Sequence, residues 1–230
     1  MEPVEHVDVS PRWRMPRRGM VKINVHGCFL VAALPNGNIS GIGLVIRNSR
    51  GRILRMLSGS LGIQNQRQNE FQALLEGCKR AYAEGWEQFY LESDHFEAFW
   101  EWRNSRLEGA HPDHADWVQQ LNQRKADPNF NLEPTLCDTN ANGLAVFLAH
   151  HGAQNFKNMV VIAQPFGDIF EIWSRDMGLG SADPRFLAVN EEDIIPAVEN
   201  NDEGEVPEVV DGGMLNAEGE MVEVIEIEDD

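Results

Sequence analysis

Residues 21–29 read VKINVHGCF, and this stretch decides the fold. Apolar side chains at positions 21, 23 and 25 alternate with polar ones at 22, 24 and 26, a period of two that predicts a β-strand with one apolar and one polar face. His26 falls on the polar face of this strand. Gly27 follows it, and a glycine inside a strand often marks a close approach of another part of the molecule to the backbone. The stretch therefore predicts a site at His26.

Charge is distributed unevenly along the 230 residues, whose formal net charge is −18. Residues 191–230 contain 16 acidic residues and no basic one, so residues 1–190 carry a net charge of only −2. A hydrophobic content of 42% is enough to bury the core of one domain of about 150 residues. We expect a near-neutral folded part followed by an acidic, disordered tail at residues 186–230, because this segment has too few large apolar residues to form a core.

The cysteines and the apolar runs indicate the compartment. Three cysteines lie far apart without a C-x-x-C spacing, which fits neither a disulfide framework nor a zinc site. Reduced thiols favour an intracellular protein, cytoplasmic or nuclear. No apolar run reaches the ~18 residues of a membrane span, and the first ten residues lack the apolar core of a secretory signal. We therefore expect a soluble protein without a membrane partner.

The remaining periodicity predicts an α/β domain. Apolar runs at 39–47 and 52–60, separated by turn residues, complete an antiparallel three-stranded meander with the first strand. The period then changes to i, i+3, i+4, i+7 over residues 68–84, which predicts an amphipathic helix. Two further strands and further helices follow, with strands predicted at 89–92 and 130–136 and the last helix at 142–151. These elements form a mixed five-stranded sheet flanked by helices.

The predicted organisation has four parts. We expect a disordered arm at 1–12, the α/β domain at 13–155, a C-terminal extension packed on the domain at 156–185, and the acidic tail from 186 onwards.

Five short motifs follow one another over this domain. They are Val21-Lys22-Ile23-Asn24-Val25-x-Gly27, Gly41-Ile42-Gly43-x-Val45-Ile46-Arg47, Glu70-x-x-Ala73-Leu74, Leu91-Glu92-Ser93-Asp94 and Asn142-x-x-Ala145-x-x-Leu148-Ala149. Together with the order of the elements, they resemble the plant RNase H-like domains that are related to retrotransposon reverse transcriptases. The resemblance implies the ribonuclease H-like fold.

The resemblance also implies a metal site. In that family, four carboxylates hold two Mg²⁺ ions that activate water and stabilise the leaving oxygen during cleavage of RNA–DNA hybrids. The motifs place these four positions at His26, Glu70, Asp94 and Val146. Glu70 and Asp94 match the family and are the expected metal ligands, whereas an imidazole is poorly suited to Mg²⁺ and valine offers no ligand atom. We therefore expect Mg²⁺ to bind weakly or not at all, and the enzyme to be degenerate.

The individual site residues have alternative interpretations. Glu70 near a helix start also complements the helix dipole, and Asp94 before a helix is also a typical cap. His26 is expected to pair with one of these carboxylates. A remodelled site that binds Zn²⁺ or Mn²⁺ through all three residues is the further alternative.

Basic residues concentrate in the N-terminal half and indicate a nucleic-acid interface, because phosphate contacts supply most non-specific affinity. The predicted contacts are Arg47, Arg50, Arg52 and Asn69. The resemblance thus implies an RNase H-like nucleic-acid-binding domain of RNA–DNA hybrid ribonuclease ancestry, and the two replaced positions lead us to expect that it is catalytically degenerate.

Three alternatives stay open at this point. They are a weakly active metal-dependent endoribonuclease, retroelement sequence without a selected role, and a protein-interaction module that works through the tail. For the last, the alternating residues 221–227 are suited to add as a strand to the sheet edge of a protein partner.

Overall fold

A computed structural model of the chain describes residues 9, 12–30, 32–62, 65–103, 119–120, 122–123, 131–178, 214–215, 221–222 and 224–226.

A mixed β-sheet forms the centre of the fold. Its first five strands are β1 (Val21–Phe29), β2 (Ser40–Arg47), β3 (Ile53–Gly59), β4 (Gln88–Ser93) and β5 (Asn131–Leu136). Strands β1 to β3 pair antiparallel, whereas β4 is parallel to β1 and β5 is parallel to β4. All five predicted strands are therefore present. Pro134 is tolerated in β5 because, among the described residues, this strand lies at the edge of the sheet and pairs with β4 alone.

Two further strands extend the sheet beyond the predicted five. Strand β6 (Val160–Ile162) pairs with β3, and β9 (Val224–Glu226) pairs antiparallel with β6, which gives the order β5-β4-β1-β2-β3-β6-β9. Strands β7 (Met214–Leu215) and β8 (Met221–Val222) form a separate pair. Strands of two or three residues are too short to show a period of two, so the sequence pattern did not predict β6. The tail strand β9 pairs with the edge of its own sheet, and apart from β7, β8 and β9 the predicted tail lies outside the described residues.

Helices cover both faces of the sheet. They are α1 (Gln66–Ala83), α2 (Phe96–Arg103), α3 (Gly143–Asn155) and α4 (Ile169–Asp176), with a short 3₁₀ turn at Thr139–Ala141 before α3. The even-numbered side chains of β2, such as Leu44, pack in one core with Phe71 and Leu74 of α1. Val45, on the opposite face of β2, packs with Leu148 of α3 in a second core. The central strand is fully buried because both of its faces are covered. None of the helices in the described part of the chain is long and apolar enough to cross a membrane.

The polar face of β1 is buried, although the alternation predicts only that it is polar. Asn24 is fully buried, and its side-chain oxygen accepts hydrogen bonds from Trp13 Nε1 (2.7 Å) and Arg47 Nη2 (2.9 Å). Its amide donates to Glu92 Oε2 (2.7 Å), and the ammonium of Lys22 donates to the other Glu92 oxygen (2.8 Å). Buried polar groups are stable only when their hydrogen bonds are satisfied, and this face of β1 meets that requirement through its neighbours.

The last described helix of the extension completes this polar network. Asp176 at the end of α4 lies 3.3 Å from Arg47 Nη1, and the same carboxylate oxygen accepts from the backbone N–H of Leu144 (3.2 Å) in the first turn of α3. Trp173 of α4 is buried, and its indole donates to the carbonyl of Gly51 (3.0 Å). Helix α4 therefore holds α3 against the sheet.

Acid is expected to destabilise the fold through His151 of α3. Its imidazole packs against the rings of Phe147, Phe156 and Phe166, the last at 4.3 Å between centroids, and burial lowers its pKa from the ordinary 6.5 to about 4. In the unfolded chain His151 therefore becomes protonated below about pH 6.5, whereas in the folded chain it becomes protonated only near pH 4. The free energy of unfolding is therefore expected to fall by about 1–2 kcal/mol as the pH is lowered from 7 to 4. This value is smaller than the full pKa difference implies because solvent screens the partly exposed ring.

The measurement is urea unfolding at both pH values for the unmodified protein and for His151→Phe. The variant keeps a ring in the aromatic cluster and removes the titrating group, so it is expected to lose less stability in acid. An equal loss in both proteins would assign the acid sensitivity to other groups.

Candidate functional site

Three elements bring His26, Glu70 and Asp94 together. In the parallel register of β1 and β4, Val25 pairs with Ser93, so His26 of β1 lies beside Asp94, which directly follows β4. His26 Nδ1 lies 2.9 Å from Asp94 Oδ1 and 3.5 Å from Glu70 Oε1. One ligand atom from each residue lies within 4.8 Å of the others. We call these three residues the His26 cluster.

Gly27 allows α1 to reach the cluster. A Cβ atom at this position would lie only 2.6 Å from the backbone of Asn69 and Glu70, so α1 approaches β1 at a distance that only glycine permits. The backbone N–H of Gly27 donates to Glu70 Oε2 (2.9 Å). Gln66 Nε2 donates both to the carbonyl of Gly27 (2.7 Å) and to Glu70 Oε1 (2.9 Å). The close approach indicated by Gly27 in the sequence is thus the contact that places Glu70 beside His26.

Replacing Gly27 with alanine is expected to lower the free energy of unfolding by about 1–3 kcal/mol or more, because overpacking against a rigid backbone forces α1 away from β1. The measurement is urea unfolding. The control is Gln68→Ala, an exposed substitution in the same first turns of α1 that is expected to change stability by less than about 0.5 kcal/mol. Equal stability of the two variants would contradict the close packing.

Asn142 holds the third member of the cluster. Its side-chain amide donates to Asp94 Oδ1 (2.7 Å) and to the backbone carbonyl of Val25 (2.9 Å). The sequence identified Asn142 as part of a motif but not as a partner of Asp94. It missed Gln66 entirely, since a glutamine at a helix start carries no distinguishing signal. Asp94 is not the cap of α2, because the N–H of Ala98 in the first turn of that helix donates to His95 Nδ1 (3.2 Å).

The electrostatics favour a positive charge on His26. Burial lowers the pKa of its imidazole, but the hydrogen bond to Asp94 and the charges of Glu70 and Asp94 outweigh burial and raise that pKa above its usual value. Burial raises the pKa of Glu70 to about 7, against the opposing effects of His26 and the Gly27 N–H. Burial acts in the same sense on Asp94, yet its hydrogen bond with His26 and the charge of His26 hold its pKa below the usual value. The imidazolium thus acts as an internal counter-ion for two buried carboxylates.

The residues present do not fit two Mg²⁺ ions. Val146 of α3, at the fourth family position, has no ligand atom. The two carboxylates carry a charge of −2, whereas two Mg²⁺ ions carry +4. Buried charge that is not compensated is very unfavourable. His26 also places a ring nitrogen within hydrogen-bonding distance of Asp94. A hard ion such as Mg²⁺ requires an oxygen ligand at that position.

Two of the four predicted nucleic-acid contacts are core residues, which corrects the expectation for them. Arg47 is fully buried, with Asp176 and Asn24 as its hydrogen-bond partners, and its guanidinium stacks 4.3 Å from the Trp13 ring. Asn69 is also fully buried, and its amide donates to the backbone carbonyls of Cys28 (2.7 Å) and Gly41 (2.8 Å). Neither side chain is accessible to a nucleic acid.

The other two predicted contacts lie at the opposite end of the strands from the His26 cluster. Arg50 is exposed and Arg52 is half-buried, and both lie in the connection after β2. Gly43 of β2 pairs with His26, whereas Arg47 at the end of β2 pairs with Lys22. Lys22 and His26 are four residues apart on β1, which corresponds to about 13 Å along a strand. The connection after β2 lies beyond Arg47 and is therefore at least this far along the strands from His26. The fold therefore separates these arginines from the cluster.

Comparison with solved structures finds RNase H domains at low identity. The N-terminal RNase H domain of a Mycobacterium tuberculosis protein is 18% identical, with a TM-score of 0.46, and the match covers 58% of this chain and 93% of that chain. LC11-RNase H1 in complex with an RNA/DNA hybrid is 17% identical, with a TM-score of 0.47 and coverages of 58% and 96%. RNase H1 from the archaeon Halobacterium salinarum is 19% identical, with a TM-score of 0.43 and coverages of 58% and 97%.

Comparison of the sequence with families gives the assignment. No curated protein sequence matches the chain. The family model described as reverse transcriptase-like matches residues 31–152, which is more than half of the chain and includes Glu70, Asp94 and Val146. The chain belongs to this reverse transcriptase-like family of RNase H-like domains.

Proposed function

We propose that this protein is a nucleic-acid-binding RNase H-like domain of RNA–DNA hybrid ribonuclease ancestry that has lost Mg²⁺-dependent cleavage. One observation carries the proposal: His26 Nδ1 lies 2.9 Å from Asp94 and 3.5 Å from Glu70, in place of a third carboxylate. The aliphatic Val146 at the fourth family position supports the same conclusion.

The loss has a direct electrostatic cause. Two-metal hydrolysis requires two divalent ions about 4 Å apart, and only dense negative charge stabilises them at that separation. In the His26 cluster an imidazolium instead offsets part of the charge of the two carboxylates, which also accept hydrogen bonds from Gly27, Gln66 and Asn142. The cluster therefore stabilises the junction of β1, β4 and α1.

Binding of a nucleic acid does not depend on the metal site. Arginine side chains contact phosphates through charge and hydrogen bonds, without an ion. Family membership and the exposed Arg50 support retained binding. We expect binding that weakens as the salt concentration rises, because phosphate contacts release counter-ions.

The test combines two measurements on the full chain. A labelled RNA–DNA hybrid is incubated with the protein in Mg²⁺ or Mn²⁺, and its binding is followed by fluorescence anisotropy over a range of salt concentrations. We expect salt-dependent binding and no cleavage. Absence of binding at low salt would reject the nucleic-acid role.

The second candidate is a weakly active metal-dependent RNA–DNA hybrid endoribonuclease. It is favoured by the retention of Glu70 and Asp94 in one cluster whose ligand atoms lie within 4.8 Å. Glu70→Gln separates the two candidates. Cleavage by the unmodified protein that disappears in this variant would establish the second candidate and reject the degenerate enzyme.

A further inference from the structure

We propose that the His26 cluster is a site for a single divalent transition-metal ion, with Zn²⁺ preferred over Mn²⁺ and Mg²⁺. The inference rests on the proposed function, because it requires that the two-Mg²⁺ site of the ancestor is lost. It assigns to this site a transition-metal ion, in place of the two Mg²⁺ ions that the resembling family binds.

The ligand spacing suits one ion. With metal–ligand bonds of about 2.0–2.1 Å, adjacent ligand atoms of a tetrahedral Zn²⁺ lie about 3.3 Å apart. The distances from His26 Nδ1 to Asp94 Oδ1 and to Glu70 Oε1 are 2.9 and 3.5 Å, on either side of this value. All three ligand atoms lie within 4.8 Å of one another, so small side-chain movements bring them to one ion.

The charge of the cluster also suits one ion. The side chains of Glu70, Asp94 and His26 are 1%, 5% and 15% exposed, so an uncompensated charge among them is costly. Zn²⁺ replaces the proton of the His26 imidazolium, and two carboxylates with the resulting neutral imidazole balance the charge of one divalent ion. A pair of such ions would leave an excess of +2 in the same buried space.

The ligand types select the ion. Imidazole together with carboxylate is a ligand set that Zn²⁺ accepts, whereas Mg²⁺ prefers oxygen ligands in near-octahedral geometry. Among the first-row ions the affinity of such a site for Zn²⁺ exceeds that for Mn²⁺. Three protein ligands leave one position on a tetrahedral ion for water or an external oxygen, as in zinc sites that bind small molecules.

Hydrogen bonds around the cluster orient its carboxylates in advance. Glu70 is held by the Gly27 N–H and by Gln66, and Asp94 is held by Asn142. Ligands that are oriented by such outer partners bind metals about 10–100-fold more tightly than ligands that lack them.

The experiment measures metal binding directly. Tag-free protein comprising residues 1–230, treated with a chelator and dialysed, is titrated with Zn²⁺ by calorimetry and with Co²⁺ by visible absorption. We expect one ion per chain, little competition from millimolar Mg²⁺, and affinities lowered at least about tenfold in His26→Gln and in Asp94→Asn. The second variant is nearly isosteric, and circular dichroism verifies that each variant is folded.

The matched control is His150→Ala. His150 is an exposed histidine on α3 that lies outside the cluster. We expect its Zn²⁺ affinity to stay within about twofold of the unmodified protein. Loss of binding in His150→Ala with retention in His26→Gln would overturn the assignment.

Three further outcomes would also overturn it: no binding at one equivalent, displacement of Zn²⁺ by Mg²⁺, or a strong thiolate-to-cobalt absorption band, which would point to one of the three buried cysteines. Each concerns metal binding and leaves the proposed function standing. Conversely, hybrid cleavage in Mg²⁺ would reject the proposed function whatever the Zn²⁺ result.

Discussion

Replacing Asp176 with alanine is expected to lower the free energy of unfolding by about 3–5 kcal/mol, the usual cost of removing one partner of a buried ion pair. Arg47 and Asp176 are 0% and 1% exposed, so the variant leaves a guanidinium in the core without its counter-ion. The loss also removes the acceptor of the Leu144 N–H at the start of α3. Urea unfolding at pH 7 measures the effect.

Two variants serve as controls for this prediction. Asp168→Ala removes an exposed aspartate at the other end of α4 that caps no backbone N–H with its side chain, and is expected to cost less than about 0.5 kcal/mol. The double variant Arg47→Met/Asp176→Ala contains neither buried charge. It is therefore expected to recover much of the stability that the single variant Asp176→Ala loses. If Asp176→Ala costs no more than Asp168→Ala, the buried pair does not stabilise the fold.

Combining His26→Asp with Val146→Asp is expected to create Mg²⁺ binding and detectable cleavage of an RNA–DNA hybrid. The two substitutions raise the carboxylate charge at the four family positions from −2 to −4, which is the condition for holding two divalent ions. We expect Mg²⁺ to bind at least about tenfold more tightly than to the unmodified protein. Calorimetry with Mg²⁺ and a hybrid cleavage assay measure the two effects.

The single variants His26→Asp and Val146→Asp are the controls for the double variant. Each supplies only one of the missing carboxylates and is expected to remain inactive in cleavage. A folded double variant that does not respond to Mg²⁺ would contradict the view that these two residues alone account for the loss. It would show that neighbouring residues have changed as well.

Local patterns were sufficient to predict most of the architecture. The alternation in residues 21–29 and the change of period at residue 68 depend only on which side chains meet water, so they predicted β1 and α1 without knowledge of the fold. The order of the motifs then identified Glu70 and Asp94 as members of one site, and the structure places both beside His26. Gly27 indicated a close backbone approach, which α1 provides.

The sequence by itself determined the first five strands and their helices and predicted the residues of the candidate site, because these follow from periodicity and from motifs within short segments. Only the tertiary structure decided which polar groups are buried. An arginine at the end of a strand looks the same in sequence whether it meets water or a core, and the partner that makes the burial of Arg47 tolerable, Asp176, lies 129 residues away. Asn69 was misassigned for the same reason, since its acceptors are backbone carbonyls of two strands that only the folded chain brings together.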